Sequence, residues 1–373
     1  MDVYEPREDS ELLMKYVKRF ASGNVLDMGT GSGVQAEEAV KKKNVKSVTA
    51  VDINPEVKKY IKNPKIKVII SDLFSKVSGK FDTIIFNPPY LPQDAGIEDA
   101  SLYGGKMGYE VLVRFLDDLS GYLKDNGKVL VVFSNLTMKN IVDMAIEKNL
   151  LEFELLEKMK LPMFEELYCY LITKSEVLKH LEKKKVSGIK YFAHGKRGMV
   201  FAGKYRGKKI AMKVKKKSSE AVDRIKNESL WLKRLNKIKI GPKLLFHNEN
   251  FLAYEFIEGD FILDFVSKNK GKKNRIKKVL KDVFMQCFWM DELMINKEEM
   301  HHPLKHVVVK YPKVTLLDFE RVHLTKSPHN VTQFVQFVSN VRKLNKKKMR
   351  KLAKEYKMSM TMKNLRKIIK EIK

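Results

Sequence analysis

Three short apolar runs near the start of the chain each carry an aspartate at or beside their end, and this repetition is the strongest constraint on the fold. Each run is followed by a segment with the spacing or capping residues of a helix, so the pattern predicts parallel strands joined by crossovers. The carboxyl ends of such strands meet at one sheet edge, where ligands bind. We therefore expect an α/β fold with a ligand site at that edge. The runs are residues 24–28, 47–51 and 66–70, and the aspartates are Asp27, Asp52 and Asp72.

A glycine-rich turn, residues 29–33, follows the first run. Glycines in such a turn let backbone N–H groups approach a ligand closely. The Gly-x-Gly-x-Gly spacing differs from that of dinucleotide-binding turns, and no P-loop lysine follows. Asp52 lies where a carboxylate suits paired ribose hydroxyls, and Asp72 lies where it suits an adenine amino group. The predicted cofactor-binding residues are Asp27, Gly29, Thr30, Gly31, Gly33, Asp52 and Asp72, with Asn87 beside them.

A fourth apolar run, residues 81–86, ends at Asn87-Pro88-Pro89-Tyr90. Proline cannot donate to a sheet ladder and holds the preceding residue extended, so Asn87 should be presented at the end of a strand. The side-chain carbonyl of Asn87 and the backbone carbonyl of Pro88 suit the hydrogens of a planar amino group, on which Tyr90 can stack. A plain Asn-Pro turn is the alternative. With a methyl donor nearby, the pattern predicts amino-methylation with Asn87, Pro88 and Tyr90 as catalytic residues.

Charge is distributed unevenly along the chain. Residues 1–175 carry 24 Lys and Arg against 26 Asp and Glu, whereas residues 176–373 carry 50 against 19. A chain of 373 residues with this asymmetry predicts two domains, the second facing a polyanion such as rRNA or tRNA. Cys169 and Cys287 fit neither a disulfide framework nor a zinc site, and the sequence shows no signal peptide or membrane-spanning run. We expect a cytoplasmic protein with no membrane partner.

The first half resembles class I S-adenosylmethionine-dependent methyltransferases, in particular HemK/PrmC-type protein-glutamine N5-methyltransferases of the short archaeal and eukaryotic branch. The resemblance implies a seven-stranded Rossmann-like domain, S-adenosylmethionine as cofactor, the glutamine of a release factor's Gly-Gly-Gln loop as acceptor, and a small activator subunit as a further partner. Adenine N6-methyltransferases share the Asn-Pro-Pro-Tyr sequence, so adenine in RNA or DNA is the alternative acceptor, with the basic half as a non-catalytic docking module. The matching segments are residues 4–10, 27–33, 87–90 and 103–108, with Asp52 and Asp72.

The second half contains a glycine-rich hairpin with Gly195 and Gly198, followed by a strand that carries Lys213. Glu228 follows 15 residues later in a helical segment, residues 221–235, where it can pair with Lys213. A later strand, residues 314–317, leads to Asp318. This order matches the kinase arrangement in which a lysine holds phosphates and an aspartate holds Mg²⁺. In so lysine-rich a segment, solvated lysines are the alternative interpretation.

Residues 188–340 resemble the RIO-like branch of protein kinases, in particular a group of predicted archaeal Ser/Thr kinases, which implies an α+β kinase-like fold that binds ATP and Mg²⁺. Neither a His-Arg-Asp nor a His-Gly-Asp sequence is present. Kinase spacing places His306 where a metal-binding Asn would stand, so Mg²⁺ would be held by Asp318 and His306. Glu299, or Asp291 through a longer loop, is the candidate replacement for the base, and Lys305 lies in the same loop. A separate metal site at His301, His302 and His306 is an alternative.

The sequence thus predicts four segments. They are a methyltransferase domain at 1–175, a charged connector at 176–187, an atypical kinase-like domain at 188–340 and a basic helical tail at 341–373. The tail carries 14 basic and 2 acidic residues. It is interpreted as an arm that contacts RNA or the ribosome, with a solvated helical extension as the alternative.

Overall fold

The structure of the protein, a computed structural model, describes residues 3–93, 102–195, 198–215 and 224–372. The chain divides into two compact units, Met1–Lys184 and Lys185–Lys373. The first unit therefore extends beyond the predicted boundary at residue 175. Helix α5 (Glu176–Lys183) falls in the predicted connector but belongs to this unit, because Leu178 and Leu181 on its apolar face are buried.

The first unit alternates strands and helices in the predicted order. Its strands are β1 (Gly23–Met28), β2 (Val45–Asp52), β3 (Ile66–Ile70), β4 (Phe81–Phe86), β5 (Leu123–Ser134), β6 (Leu151–Lys160) and β7 (Glu166–Lys174). Its other helices are α1 (Glu8–Phe20), α2 (Val34–Val40), α3 (Glu110–Tyr122) and α4 (Lys139–Lys148). The seven strands form one sheet in the order β3-β2-β1-β4-β5-β7-β6. The predicted seven-stranded α/β sheet is confirmed.

The pairing of the strands brings the predicted site residues to one edge. β1 lies between β2 and β4 and runs parallel to both. Met28, at the end of β1, is paired with Val51 and with Phe86. The glycine turn, Asp52 and Asn87 therefore leave the sheet side by side. β7 is antiparallel to both β5 and β6, which makes the sheet mixed and closes it with a β6–β7 hairpin.

Local sequence explains most of these elements. The apolar face of α1 is buried through Leu12, Leu13, Tyr16 and Val17. The segment after the second apolar run forms only a 3₁₀ helix, Pro55–Lys59. Its first N–H groups are capped, since the Asn54 side chain accepts from the Glu56 backbone N–H at 3.1 Å. A second Asn-Pro pair, residues 63–64, follows too soon for further turns to form.

The second unit begins with an antiparallel sheet and ends with helices. Its strands are β8 (Ser187–His194), β9 (Gly198–Tyr205), β10 (Lys208–Lys215), β11 (Leu244–His247), β12 (Phe251–Glu255), β13 (Asp260–Phe261), β14 (Ile295–Asn296), β15 (Val307–Lys310), β16 (Lys313–Leu316) and β17 (His323–Leu324). Its helices are α6 (Arg224–Leu235), α7 (Ile262–Lys268), α8 (Lys273–Glu292), α9 (Asn330–Val341), α10 (Lys346–Met358) and α11 (Met362–Lys370). The five-stranded sheet has the order β11-β12-β10-β9-β8. Residues 221–223 of the predicted helix at 221–235 lie outside the described residues.

The basic tail is part of the second unit's core. Met349 and Tyr356 of α10 and Leu365 and Ile368 of α11 are buried in one cluster with the apolar residues of α8 and α9. The structure thus differs from the prediction of a separate arm, because apolar residues at helical spacing give both helices a face to bury. Among the described residues, no helix is long and apolar enough to cross a bilayer.

Candidate active site

A cavity of about 400 Å³ opens at the carboxyl ends of β1 to β4. This volume falls within the range of small-molecule sites. It brings together all but one of the residues predicted for the cofactor and the acceptor. The predicted residues that line it are Asp27, Gly29, Thr30, Gly31, Asp52, Asp72, Asn87, Pro88 and Tyr90.

Gly33 is the predicted cofactor residue that does not line the cavity. It precedes α2 with a φ of 84°, and a Cβ atom on it would lie 2.6 Å from Cγ1 of Ile61. Glycine is needed there for the left-handed backbone and for close packing. Gly33 therefore fixes the shape of the glycine turn without lining the cavity.

Asp27 supports the glycine turn. Its side chain is buried and accepts hydrogen bonds from the Thr30 hydroxyl at 2.6 Å and from the Ala36 backbone N–H at 3.1 Å. Burial raises the pKa of Asp27 to about 7, although both hydrogen bonds oppose the rise. These bonds tie the end of β1 to the turn and to the first residues of α2.

The other two predicted carboxylates also have partners. Asp52 accepts from the backbone N–H groups of Gly31 and Asn54, both at 2.9 Å. Asp72 pairs with Arg114, with Oδ2 2.7 Å from Nη2. Arg114 lines the cavity, and sequence reasoning missed it because it lies within α3, outside every motif. A ligand that takes the Asp72 carboxylate must displace or share this half-exposed pair.

Asn87 has an unused acceptor. Its side-chain NH₂ donates to Oδ2 of Asp9 at 3.1 Å and reaches Oγ of Ser10 at 3.4 Å. Its Oδ1 is buried and has no hydrogen-bond partner among the described residues. A buried amide oxygen without a partner is costly. Its presence in this cavity fits an incoming N–H donor.

Asp9 is a second residue of the cavity that the sequence interpretation did not single out. It is 3% exposed, and Oδ2 accepts from Tyr4 Oη at 2.9 Å and Tyr90 Oη at 3.3 Å, besides Asn87. Burial, followed by the charge of Asp9, raises the pKa of Tyr90, so its hydroxyl remains a donor. The signal was present, since Asp9 belongs to the matching segment at residues 4–10.

The last matching segment, residues 103–108, supports the acceptor side of the cavity. The Gly104 N–H donates to the Leu91 carbonyl at 3.0 Å. A Cβ atom on Gly104 would lie 2.4 Å from the carbonyl oxygen of Pro89. Only glycine permits this approach, so the segment fixes the backbone that presents Asn87 and Tyr90.

Comparisons with known proteins match the residues that form this cavity. Residues 7–160 match the methyltransferase small domain family. The chain is 40% identical, over 177 residues, to a protein assigned as a protein N5-glutamine methyltransferase in Methanocaldococcus jannaschii, which covers 44% of this chain and 89% of that protein. The chain belongs to the protein-glutamine N5-methyltransferase family.

Other known proteins also match part of the chain. The chain is 30% identical to the methyltransferase HEMK2 of Homo sapiens over 152 residues, or 71% of that protein. It is 32% identical to the release factor glutamine methyltransferase of Streptococcus pneumoniae, but spans only 51% of that protein's length. A solved structure of the E. cuniculi Mtq2-Trm112 complex gives 28% identity and a TM-score of 0.41, with 47% of this chain and all of that chain covered. The first unit is a class I methyltransferase domain.

A second cluster of charged side chains lies in the other unit. Nζ of Lys213 is 2.7 Å from Oε2 of Glu228, 3.1 Å from Oδ1 of Asp318 and 3.4 Å from Oε2 of Glu320. Burial opposes protonation of Lys213, but the three carboxylates, Glu228 foremost, raise its pKa well above its usual value. An ammonium group therefore stands among the three carboxylates, which otherwise lie close enough together to hold a metal ion.

Of the residues predicted for the replacement catalytic loop, His306 and Glu299 lie near Asp318, whereas Asp291 is buried elsewhere. His306 Nε2 lies 3.5 Å from Oε2 of Glu299 and 3.8 Å from Oδ2 of Asp318. Lys305 is exposed. Asp291 is wholly buried in α8, where it accepts from Asn330 and from the Tyr356 hydroxyl. The proposal of Asp291 as a replacement base is therefore corrected, because its oxygens are committed to holding helices together.

Gly198 and Lys297 make two further close contacts in the second unit. Gly198 lies so close to β10 that a Cβ atom would be 2.8 Å from the Val214 carbonyl oxygen, and the Gly195 N–H donates to the Gly198 carbonyl at 2.9 Å. The wholly buried Lys297, which sequence reasoning missed, donates to the Asp318 backbone carbonyl. Burial lowers the pKa of Lys297 to about 8.

Proposed function

We propose that the first unit transfers the methyl group of S-adenosylmethionine to the side-chain nitrogen of a glutamine in the Gly-Gly-Gln loop of a peptide release factor. The observation that carries this proposal is the buried Oδ1 of the cavity-lining residue Asn87, which has no hydrogen-bond partner in the described part of the chain. The cofactor would be held by the glycine turn with Asp52 and Asp72. It supplies an electrophilic methyl group when bound.

The residues of this chain orient the acceptor nitrogen. An amide nitrogen is a weak nucleophile because its lone pair is delocalised into the carbonyl group. When Oδ1 of Asn87 and the Pro88 carbonyl accept its two hydrogens, the nitrogen is held with its lone pair toward the methyl donor. Asp9 occupies the NH₂ side of Asn87 and leaves Oδ1 to face the acceptor. Tyr90 lines the same cavity, with its hydroxyl held by Asp9.

A glutamine side chain is favoured over an adenine as the acceptor. Family membership supports glutamine, since the relatives in Methanocaldococcus jannaschii and Streptococcus pneumoniae are named for glutamine methylation. The first unit also has 24 basic and 26 acidic residues over 1–175, which is a poor charge balance for gripping a nucleic acid.

The test uses the full chain with labelled S-adenosylmethionine and two acceptors, a release factor from an archaeon or eukaryote and total RNA. We expect label in the release factor and at the glutamine of its Gly-Gly-Gln loop. A release factor with that glutamine changed to alanine is the matched control. Label in RNA alone would instead support the adenine alternative. Repeating the assay with a small activator subunit, such as the Trm112 partner of the E. cuniculi relative, tests whether the predicted activator partner is needed.

We propose further that the second unit binds ATP with Mg²⁺ in the manner of a kinase-like domain. The observation in favour is the convergence of Lys213, Glu228 and Asp318 from a strand, a helix and a loop. An ammonium positioned by a buried carboxylate suits nucleotide phosphates, and Asp318 with His306 suits Mg²⁺. Glu299 is the remaining candidate for the catalytic base, since it approaches both His306 and Arg321.

A titration of the full chain with ATP, with and without Mg²⁺, tests this second proposal. Saturable binding that requires the metal supports it. Weak binding of any polyanion, with an affinity that falls steeply with salt, would instead identify a docking surface for rRNA or tRNA. The 50 basic residues at 176–373 make a docking surface for RNA the main alternative to ATP binding.

A further inference from the structure

Two large apolar side chains stand in solvent beside the acceptor cavity. Met163 is 96% exposed and Phe164 is 97% exposed. They lie at the tip of the connection between β6 and β7, within a 3₁₀ helix, Pro162–Phe164. The residues on either side of this helix, Leu161 and Glu165, line the cavity that contains Asn87. Single exposed apolar residues are ordinary, whereas an adjacent pair at the rim of a site marks a contact surface.

Met163 and Phe164 are exposed on a backbone conformation that is unfavourable for residues other than glycine. Met163 has a φ of 59° and Phe164 a φ of 63°, which is the left-handed region that side chains with a Cβ atom disfavour. The turn is closed by the Leu161 N–H, which donates to the Glu165 carbonyl at 2.8 Å. Strained backbone that the surroundings hold in place is found mainly where it serves a function.

Asn135 fixes the pair from a neighbouring segment. Its NH₂ donates to the Phe164 carbonyl at 3.2 Å, and its Oδ1 accepts from the Glu166 N–H at 3.0 Å. Two residues later, the Thr137 hydroxyl donates to the Tyr90 carbonyl at 3.4 Å. One short 3₁₀ segment, Asn135–Thr137, therefore positions both the exposed pair and the backbone of the acceptor site.

We propose that Met163 and Phe164 are the docking surface for the body of the acceptor protein. This inference rests on the proposed function. The cavity takes the cofactor and one side chain, so the polypeptide on either side of the acceptor glutamine must lie on the rim, where this pair stands. The partner of this surface is a folded protein with apolar residues beside its Gly-Gly-Gln loop. Because the exposed pair is held in place before the acceptor arrives, little entropy is lost when the acceptor docks.

The decisive variant carries Met163→Ser together with Phe164→Ser in the full chain. We expect KM for the intact release factor to rise about tenfold or more, as for hot-spot contacts, while kcat and cofactor affinity stay unchanged. Activity on a free heptapeptide that contains Gly-Gly-Gln should also stay unchanged, since it lacks the body of the protein. The matched controls are Tyr60→Ser and Met144→Ser, which change exposed side chains outside the cavity.

A second measurement does not require turnover. Calorimetry of release factor binding, in the presence of S-adenosylmethionine, should show the same loss for the double variant in an Asn87→Ala background. Unchanged affinity and KM, or an equal loss of activity on protein and peptide, would overturn the inference. A wild-type dimer that the double variant converts to a monomer would also overturn it, because the pair would then serve a second copy of this chain. Failure of the proposed function can be told apart from failure of this inference, since the wild type would then methylate neither the release factor nor the peptide.

Discussion

At the scale of single residues, the proposed function gives Asn87 a role in catalysis and the glycine turn a role in cofactor binding. Oδ1 of Asn87 is buried without a hydrogen-bond partner among the described residues, and Asn87 follows a different strand from the glycine turn. We expect Asn87→Ala to lower kcat by about 10²- to 10³-fold, the usual cost of losing a transition-state hydrogen bond. The dissociation constant of S-adenosylmethionine, measured by calorimetry, should change only a few-fold. Wild-type turnover in this variant would remove Asn87 from the mechanism.

In the proposed mechanism, Asp9 is a positioning residue that acts through its contact with Asn87. Without its carboxylate, the Asn87 amide loses the contact that keeps the NH₂ side away from the acceptor. We expect Asp9→Ala to lower kcat by about 10²-fold and to leave cofactor affinity unchanged. Asp9→Asn should retain more activity, because its carbonyl oxygen can still accept from Asn87.

The control for Asp9 is Glu11→Ala, which removes an exposed carboxylate from the same first turn of α1. This variant should match the wild type in kcat and in melting temperature. If Asp9→Ala and Asp9→Asn lose activity and thermal stability in equal proportion, the role of Asp9 is structural only.

At the scale of elements, the junction of β1, the glycine turn and α2 contains a carboxyl group with a raised pKa. Asp27 titrates near pH 7 in the folded protein and near 3.8 when unfolded. The folded state therefore binds more protons between these values, and stability present at low pH is lost as the pH rises through about 7. A shift of about three pKa units corresponds to about 4 kcal/mol.

We expect Asp27→Asn to lack this contribution, because the amide oxygen can accept the same two hydrogen bonds and carries no charge. This contribution is measured by denaturant unfolding of the wild type and Asp27→Asn from pH 4 to 8. The free energy of unfolding of the variant relative to the wild type should rise with pH over that range. A constant difference would show that Asp27 is ionised throughout.

Helix α5 is the element that completes the first unit. Lys174, at the end of β7, has a wholly buried side chain whose Nζ lies 2.6 Å from Oε2 of Glu182 in α5. Ending the chain at residue 175 removes that partner together with the apolar face of α5. Asp125, with Oδ1 3.8 Å from Nζ of Lys174, remains as a weaker partner, so the main expected cost is the loss of the apolar contacts of α5. We expect a fragment of residues 1–184 to fold and bind S-adenosylmethionine, and a fragment of residues 1–175 to melt at a clearly lower temperature.

The two fragments are compared by thermal melting and calorimetry, with a third fragment, 1–184 carrying Glu182→Gln, as the intermediate case. Equal melting temperatures for 1–175 and 1–184 would contradict the structural boundary. Failure of both fragments to bind the cofactor would show that the second unit is required for the site.

The sequence predicted the sheet and most of the cavity because the relevant signals are local. Apolar runs give the strands, and the residues that follow each run, such as Asp52 and Asn87, emerge at the shared edge. Asp9 and Arg114 act through contacts between elements distant in sequence, 78 residues in the case of Asp9 and Asn87. The spacing of residues along the chain does not predict contacts of this kind. The domain boundary was misplaced for the same reason, since the charge run that suggested a connector also contains the apolar face of α5.

At the scale of the whole molecule, the charge asymmetry separates two units with two kinds of site. The first unit belongs to a known methyltransferase family, and its cavity is lined by the family's matching segments. The second unit carries most of the positive charge, yet Lys213 lies among three carboxylates, of which Glu228 is buried. Attraction of polyanions alone does not require acidic side chains around Lys213. This contrast favours a nucleotide with a metal ion as the ligand of the second unit.

A variant of Asp318 gives the sharpest test of the proposal that the second unit binds ATP with Mg²⁺. Burial opposes its ionisation, but the ammonium groups of Lys213 and Lys297 hold the pKa of its carboxyl group below the usual value, so it is a carboxylate at neutral pH. We expect Asp318→Ala to remove most of the Mg²⁺ dependence of ATP binding and to leave S-adenosylmethionine binding by the first unit unchanged. Glu249→Ala, at an exposed site in the same unit, is the matched control. ATP binding that stays equally metal-dependent in Asp318→Ala would mean that Mg²⁺ is held elsewhere, and the kinase-like assignment of Lys213, Glu228 and Asp318 would fail with it.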